Sequence, residues 1–472
     1  MSSEPKKVDR RKFIYAGLGA VALIAIGAAA YVAMNPPVVT QTVTTSTTVP
    51  TTSVVTTTVP TTSVVTTTVP TTSTVTSTAT IKKPVIVLWW TSELDEAWRK
   101  QFSEYEQRTG QAVVYEAVGW ADMHAKKLAT WAAQSDRFDV SFSYPPEYPS
   151  DHIYFEPLDQ YVSPEEKHLI VDPAIEINTI DGQLKVLPFF ATLRVLHYRK
   201  DLFDQAGISR PPKNWDEMIE YGKEIQDMTK GSVWGTLWAW KGDAGLRYFN
   251  ILLNTVDGKL YDEKFKPAFN TPEGLRVMEF INDVMNTHKI CPPGALTWAN
   301  TGAEMPNYYQ GNAAMVIEDV SLLKTANMTL PFPSKANISI VPGTEIKASG
   351  SCYLPQGFII NKFSTNKDAA VKLIKYFALN NDAVVNMYKL CGYIPVLRSA
   401  LQDPRITDNP LDKAMFDTTL AQLQYNCEPW TRHPKYSIFR DVITDEIAAM
   451  LLGQKTPKQA LQDAESKILS QL

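Results

Sequence analysis

Residues 38–80 cannot build a core. They hold 22 Thr in 43 positions and no charged group, and Thr51-Thr52-Ser53-Val54-Val55-Thr56-Thr57-Thr58-Val59-Pro60 recurs unchanged at 61–70. With no helical period and no apolar face, such a tract buries too little surface to offset its ordering entropy. Ser/Thr/Pro composition of this kind reads as an O-glycosylated stalk or an unmodified linker. Extended at about 3.1 Å per residue, residues 35–80 reach roughly 140 Å. All eleven Trp lie beyond position 80. The folded body is therefore sought in 81–472, a length that exceeds what one core usually supports and predicts two domains. That body carries 41 basic and 48 acidic groups, net −7. It lacks the basic face that phosphate neutralisation needs, so no nucleic-acid partner is expected.

Ahead of the tract, Lys6, Lys7, Arg10, Arg11 and Lys12 in residues 1–12 precede an uncharged run of 22 residues, Phe13 to Met34. Residues 13–34 are long enough to span a hydrocarbon core of about 30 Å, and the basic flank keeps the N-terminus inside. Two readings stand: an uncleaved anchor in the cell membrane, or a signal peptide cut near Ala28-Ala29-Ala30. Asp9-Arg10-Arg11-Lys12-Phe13-Ile14 is similar to a twin-arginine export signal. No Cys lies near the run, which excludes a lipoprotein. Anchor, spacer and body together predict an extracellular protein held at a cell surface, or a secreted one if the signal is cut.

In the body, Pro84 to Trp90 is an apolar β run. A helix follows over 93–108, with Leu94, Trp98, Phe102 and Tyr105 on one stripe and Gly110 as its C-cap. A strand from Val113, a helix over 120–134 and a strand Phe138–Phe142 complete β-α-β-α-β. That order predicts a parallel sheet with helices on both faces and ligands beyond the carboxyl ends of the strands. A second α/β region starts near 192. Its strands are Val195–Tyr198, Val233–Trp240, Ala313–Ile317 and Phe358–Ile360. Its helices are Trp215–Met228, 243–254, 272–287, 366–379, 436–452 and 456–470. Neither GxxxxGK[ST] nor GxGxxG occurs, so no nucleotide fingerprint is present.

Several segments together resemble the extracytoplasmic solute-binding proteins of ABC importers, in the sugar-binding family that includes maltose-binding protein. They are Gly182-Gln183-Leu184-Lys185-Val186-Leu187-Pro188; His197-Tyr198-Arg199-Lys200-Asp201-Leu202-Phe203 with Ala206-Gly207-Ile208; and Pro211-Pro212-Lys213-Asn214-Trp215-Asp216-Glu217. Tyr309-Gln310-Gly311-Asn312-Ala313-Ala314-Met315, Gly392-Tyr393-Ile394-Pro395-Val396 and Gly453 to Leu461 complete the set. The Thr-rich stalk is similar to those of archaeal cell-surface binding proteins. The resemblance implies an α/β type-II-like periplasmic-binding-protein fold. Its two lobes would be 84–190 plus 354–390 and 192–350 plus 394–472, with crossovers near 188–193, 351–357 and 391–395. It also implies a monomer that closes around a carbohydrate and delivers it to an ABC permease, with no enzyme activity and no cofactor.

Sugar recognition needs flat aromatic faces for C–H patches and planar hydrogen-bonding groups for hydroxyls that lose water. Strand ends offer Trp90, Thr91, Glu93, Ser143 and Tyr144. Trp234, Trp238 and Trp240 share one strand face by parity, and Trp240 with Asp243 ends that strand. Each could equally be a packing residue. Trp298 and Trp430 lie in Pro-rich loops, with Arg432 beside the latter. Glu318 and Asp319 follow the Ala-Ala-Met-Val-Ile strand, where the resemblance puts ligand-facing residues. Relatives with Gly-Pro-Trp next differ from Asp319-Val320-Ser321 here, which removes a stacking Trp at that point. Gln356 and Tyr393 fall at the implied crossovers.

The six His show no metal-ligand spacing, so no metal is expected. Four Cys outside a cell favour disulfides. Cys352 with Cys391, both at implied crossovers, is one pairing, and Cys391 with Cys427 is another. Asn327 and Asn337 head N-glycosylation sequons. Rival functions are a receptor for polyamine or phosphate ester, a secreted glycosidase, and a surface adhesion protein.

Overall fold

The computed structural model describes residues 42–49, 71–78, 82–90, 95–143, 145–299, 302–329, 336–429 and 433–472. The candidates Thr91, Glu93, Tyr144, Trp430 and Arg432, and the apolar run 13–34, lie outside these residues. Among the described residues no helix is long and apolar enough to cross a membrane. The chain forms two compact units, Met1–Pro84 and Val85–Leu472.

In the N-terminal unit, β1 (Thr42–Val49) pairs antiparallel with β2 (Thr71–Thr78), Thr42 opposite Thr78. The tract read as an unpaired stalk thus contains one strand pair. Its Thr and Val are β-branched and suit extended backbone, even without a core behind them.

The C-terminal unit is built on one nine-stranded sheet. Its first half contains β3 (Val85–Trp90), β4 (Val113–Val118) and β5 (Val140–Ser143), all parallel. Helices α1 (Asp95–Thr109) and α2 (Trp120–Ala132) connect them. Trp98, Phe102 and Tyr105 are buried as one stripe of α1, and Gly110 ends the helix at φ 65°. The second half contains β7 (Trp234–Leu237), β8 (Ala313–Asp319) and β9 (Ala336–Ser339), with α3 (Trp215–Met228), α4 (Gly242–Asn254), α5 (Met305–Tyr309) and α6 (Leu322–Thr329).

The halves share β6 (Leu187–Arg199), a single strand of 13 residues where two separate segments were expected. It is buried on both faces, so its sequence reads as one apolar run. β10 (Tyr353–Ile360) and β11 (Ile394–Pro395) lie on either side of its middle: Pro355 and Ile394 both face Ala191. Three passages of chain therefore cross between the halves side by side. The register shifts between Gln356 and Gly357, which face Phe190 and Pro188, so β6 carries an extra residue, Phe189, as a bulge at this point. A Cβ on Gly357 would lie 2.1 Å from the Leu187 carbonyl oxygen, so only glycine fits that approach.

Later in the chain come α7 (Lys367–Leu379), α8 (Asn381–Cys391), α9 (Pro410–Gln422), α10 (Tyr436–Leu451) and α11 (Pro457–Leu469), among other helices. One core gathers Trp89, Trp98, Phe142, Phe189 and Phe358; a second gathers Trp238, Trp240, Tyr248, Phe249 and Phe280.

Candidate functional site

The carboxyl ends of β3, β4 and β5 run toward the shared strand, and so do those of β7 and β8, because β8 is antiparallel to β6 and β5 antiparallel to β10. The strand ends of the two halves therefore face each other across the three crossing passages. In open α/β sheets this is where ligands sit.

A cavity of about 330 Å³ lies at the end of β8. Thr192, Arg194, Tyr309, Asp319, Ser321 and Tyr393 line it, with Glu318 at its floor. Tyr393 is half-buried and stacks on Phe190 at 4.2 Å. Gln356, at the bulge, is buried and donates its side-chain N–H to the Thr192 hydroxyl at 3.3 Å. The structure thus brings Glu318, Asp319, Gln356 and Tyr393 together. Sequence reasoning missed Thr192 and Arg194, although they alternate on one face of an otherwise apolar strand. A lone charge in such a run was the available signal.

Glu318 and Asp319 are not solvated carboxylates. Arg194 reaches Glu318 at 3.2 Å and Asp319 at 2.8 Å, and Arg247 from α4 reaches Glu318 at 2.5 Å and Glu304 at 3.2 Å. All five side chains are buried. Tyr248 donates its hydroxyl to Glu304 at 2.8 Å. Asp319 also accepts the Leu193 N–H at 3.2 Å and the Ser321 N–H at 3.0 Å. Burial pushes the Glu318 carboxyl up, but Arg247 and Arg194 outweigh it and hold it below the usual range. Burial pushes Asp319 and Glu304 above that range, Glu304 with help from the Glu318 charge. Two guanidinium groups thus serve three carboxylates. His197, behind them, donates Nε2–H to the Asp319 carbonyl at 2.9 Å, and burial holds its pKa at about 4.

Several candidates fall elsewhere. Trp238 and Trp240 are fully buried, edge to face at 5.3 Å, and packed on Tyr248. Neither leaves a face for a ligand. Strand parity misled because β7 stops at Leu237; beyond it Trp240 N–H bonds to the Ala295 carbonyl, and Trp234 packs on the other core. Trp298 is half-buried and touches both cores. Ser143 is buried opposite Gly357, and its hydroxyl has no hydrogen-bond partner among the described residues. Trp90 closes β3 opposite Val118.

Cys352 is a free, buried thiol, which removes the Cys352–Cys391 bridge; Cys291 and Cys427 are free as well. Burial pushes the Cys352 and Cys427 thiols up to about 12, as expected of inert packing residues. Asn327 is buried. Its amide donates to the Leu323 and Ala336 carbonyls and accepts the Ala336 N–H at 3.1 Å. It clamps α6 to β9 and leaves no accessible amide for a glycan.

A second cavity, about 320 Å³, lies between Tyr148, His152 and Asp181 of the first half and Phe265, Pro429 and Pro434 of the second. Near it, Asp243 in the first turn of α4 pairs with Arg440 at 3.7 Å, and burial raises its pKa. Burial, then the carboxylates of Asp243 and Glu147, push the Tyr436 phenol up to about 12, so the halves come within electrostatic reach here. No His spacing signalled a metal site, yet His124, Glu147 and Asp151 meet: one ligand atom from each lies within 4.8 Å of the others.

Residues 90–383, more than half of the chain, match the family described as bacterial extracellular solute-binding protein. The chain belongs to that family. A binding protein of Brucella abortus (strain 2308) is 24% identical over 76% of this chain and 86% of its own length. The maltotriose-binding protein of Pyrococcus abyssi is 25% identical over 54% of this chain and 53% of its own. Among solved structures, maltose-bound MalE3 of T. maritima has a TM-score of 0.70 at 21% identity, covering 82% of this chain and all of that one. The fold is therefore the α/β two-lobe fold of periplasmic binding proteins. Family members are extracellular or periplasmic, bind small solutes and deliver them to ABC permeases; theirs is a binding family, not an enzyme family.

Proposed function

We propose that this chain captures a neutral mono- or oligosaccharide between its lobes and hands it to an ABC permease. The observation that carries this reading is the cavity at the end of β8, where the aromatic faces of Tyr309 and Tyr393 stand beside Thr192, Ser321 and Asp319. Flat apolar rings next to fixed hydrogen-bonding groups are what a pyranose requires. Relatives named for maltotriose and maltose support it. A phosphate-ester ligand is disfavoured because Arg194, the cation at this cavity, is committed to Glu318 and Asp319. Trp90, Thr91, Glu93, Ser143, Tyr144, Asp243, Trp298, Gln356, Trp430 and Arg432 remain candidate contacts.

The lobes are 84–190 plus 354–390 and 192–350 plus 394–472, and closure turns on the three passages at Pro188, Gln356 and Pro395. Only contacts made to both lobes at once favour the closed state. The body is monomeric and held at the cell surface by residues 13–34 through the spacer 35–80. The 22-residue uncharged run with a basic inner flank supports this, and a glycan at Asn337 is compatible with it. Proteolysis within the spacer then frees the body from membranes; mature chains starting near Tyr31 in the medium would reject the anchor.

A thermal-shift panel tests the ligand. At a hundredfold excess over Kd, a solute that binds only the folded state adds about 2.7 kcal/mol. Maltodextrins or another neutral sugar should raise the midpoint, and small-angle scattering should show a smaller radius of gyration on saturation. A midpoint raised only by polyamines or phosphate esters would overturn the sugar reading, and turnover of oligosaccharides would replace it with a glycosidase.

A further inference from the structure

We infer that His124, Glu147 and Asp151 form a site for a divalent transition-metal ion of the zinc type, at the strand ends of the first lobe. The trio comes from two elements that the sheet places together. His124 lies in the second turn of α2, which starts just beyond the carboxyl end of β4. Glu147 and Asp151 lie on the segment that follows the carboxyl end of β5.

The geometry is close to a coordination sphere. His124 Nε2 and Asp151 Oδ2 are 3.0 Å apart, and all three donor atoms lie within 4.8 Å of one another. Zinc bonds of about 2.0–2.1 Å put tetrahedral donors roughly 3.4 Å apart. The His124–Asp151 spacing is already shorter than that, and Glu147 lies within 4.8 Å of both. One imidazole with two carboxylates suits zinc-type ions; calcium and magnesium take oxygen ligands alone. Three protein ligands leave a fourth position open, as in zinc sites that bind a further group.

The trio has an inner and an outer side. The Asp151 side chain is fully buried, whereas that of His124 is 38% exposed. The other Asp151 oxygen accepts the Ser150 hydroxyl at 2.7 Å, which fixes the carboxylate's orientation. The open position then faces solvent, where a water or a solute hydroxyl can complete the sphere. The hydrogen bond between His124 Nε2 and Asp151 Oδ2 already joins two of the atoms that would face the ion. Lys127 is the competitor. Its buried ammonium ion-pairs with Glu147 and lies 3.4 Å from the Phe142 carbonyl. Binding therefore replaces the His124–Asp151 hydrogen bond by bonds to the ion and draws Glu147 partly away from Lys127.

The test uses the full chain in detergent, stripped with chelator and titrated with zinc chloride by calorimetry near neutral pH. One saturable site per chain is expected. His124→Ala and Asp151→Asn should each weaken binding by at least about 100-fold, the upper end of what losing even an outer-shell partner costs. Lys127→Met should tighten it. His152→Ala should leave it unchanged, because His152 bonds to Tyr148 and Asp181 outside the trio. No saturable binding by the wild type, or equal binding by His124→Ala, would overturn the site and leave an adventitious ion only. If a variant fails to fold, X-ray absorption on the zinc-loaded wild type decides: one nitrogen with two carboxylate oxygens supports the site, and a shell without imidazole rejects it. Because the readout is the ion itself, the result does not depend on which solute the cleft takes.

Discussion

The two lobes carry similar charged chemistry at their strand ends and treat it in opposite ways. In the second lobe, Arg194, Arg247, Glu304, Glu318 and Asp319 are buried, with only edges of Arg194 and Asp319 reaching the cavity, and are bonded to one another and to the crossing strand through the Leu193 N–H. In the first lobe, His124, Lys127, Glu147 and Asp151 form a shorter chain of pairs whose outer member is partly exposed. A sealed network resists loss of any member, because each deletion strands a buried charge. An open one can exchange a partner for a proton, an ion or a ligand. The sealed set fixes the floor of the cleft beside the crossing strands, and the open set is free to bind.

The largest effects should come from cutting into the sealed lobe. Arg247→Ala leaves Glu318 and Glu304 without their shared cation and should lower stability by about 3–5 kcal/mol in denaturant titration. Trp240→Ala should cost a similar ~3–5 kcal/mol through its cavity, with ligand affinity little changed in the fraction that folds. A loss below about 1 kcal/mol for Arg247→Ala would mean that the network is not sealed.

Acid should come next. His197 is held neutral with a pKa of about 4, against 6.5 for an ordinary imidazole. The unfolded chain therefore takes up a proton that the folded chain refuses. The resulting stability is whole above pH 6.5 and drains away as pH falls toward 4. One such group contributes on the order of 3 kcal/mol. Its neighbours Asp319 and Glu304, with raised values, act in the opposite sense, since their protonation relieves buried charge. Melting temperature against pH for wild type and His197→Gln isolates the imidazole: the variant should lose the part of the slope that lies between pH 6.5 and 4. Parallel curves would remove His197 from the account.

The open lobe should respond weakly to the same kind of change. His124→Ala removes the partly exposed partner of Asp151, opens that carboxylate to water and should cost about 1 kcal/mol or less without metal. A cost equal to that of Arg247→Ala would erase the contrast between the lobes. At the bottom of the scale, Lys413→Ala breaks an exposed i,i+4 pair with Asp417 on α9 and should shift stability by no more than about 0.5 kcal/mol.

Local signals carried far in this sequence. The apolar stripe Trp98, Phe102, Tyr105 gave α1, and the glycine at 110 gave its end, because each depends on neighbours within a turn. The order of strands and helices gave an α/β body for the same reason; its length pointed to two domains, and their two-lobe arrangement came from the family resemblance. What the sequence left open was decided by contacts between residues far apart in the chain. Parity offered Trp240 as a ligand face, but β7 stops at Leu237 and Tyr248 of α4 packs on the indole. Asn327 and Cys352 carried the labels of a sequon and a disulfide, and burial removed both. Glu318 and Asp319 looked like any pair of acids until Arg194 on β6 and Arg247 on α4 converged on them. The sequence by itself determined the elements, their order and the groups available for chemistry, since those follow from local periodicity and side-chain type. The tertiary structure alone decided which of those groups are consumed by one another and which still face solvent, because desolvation and pairing depend on partners that no local window contains.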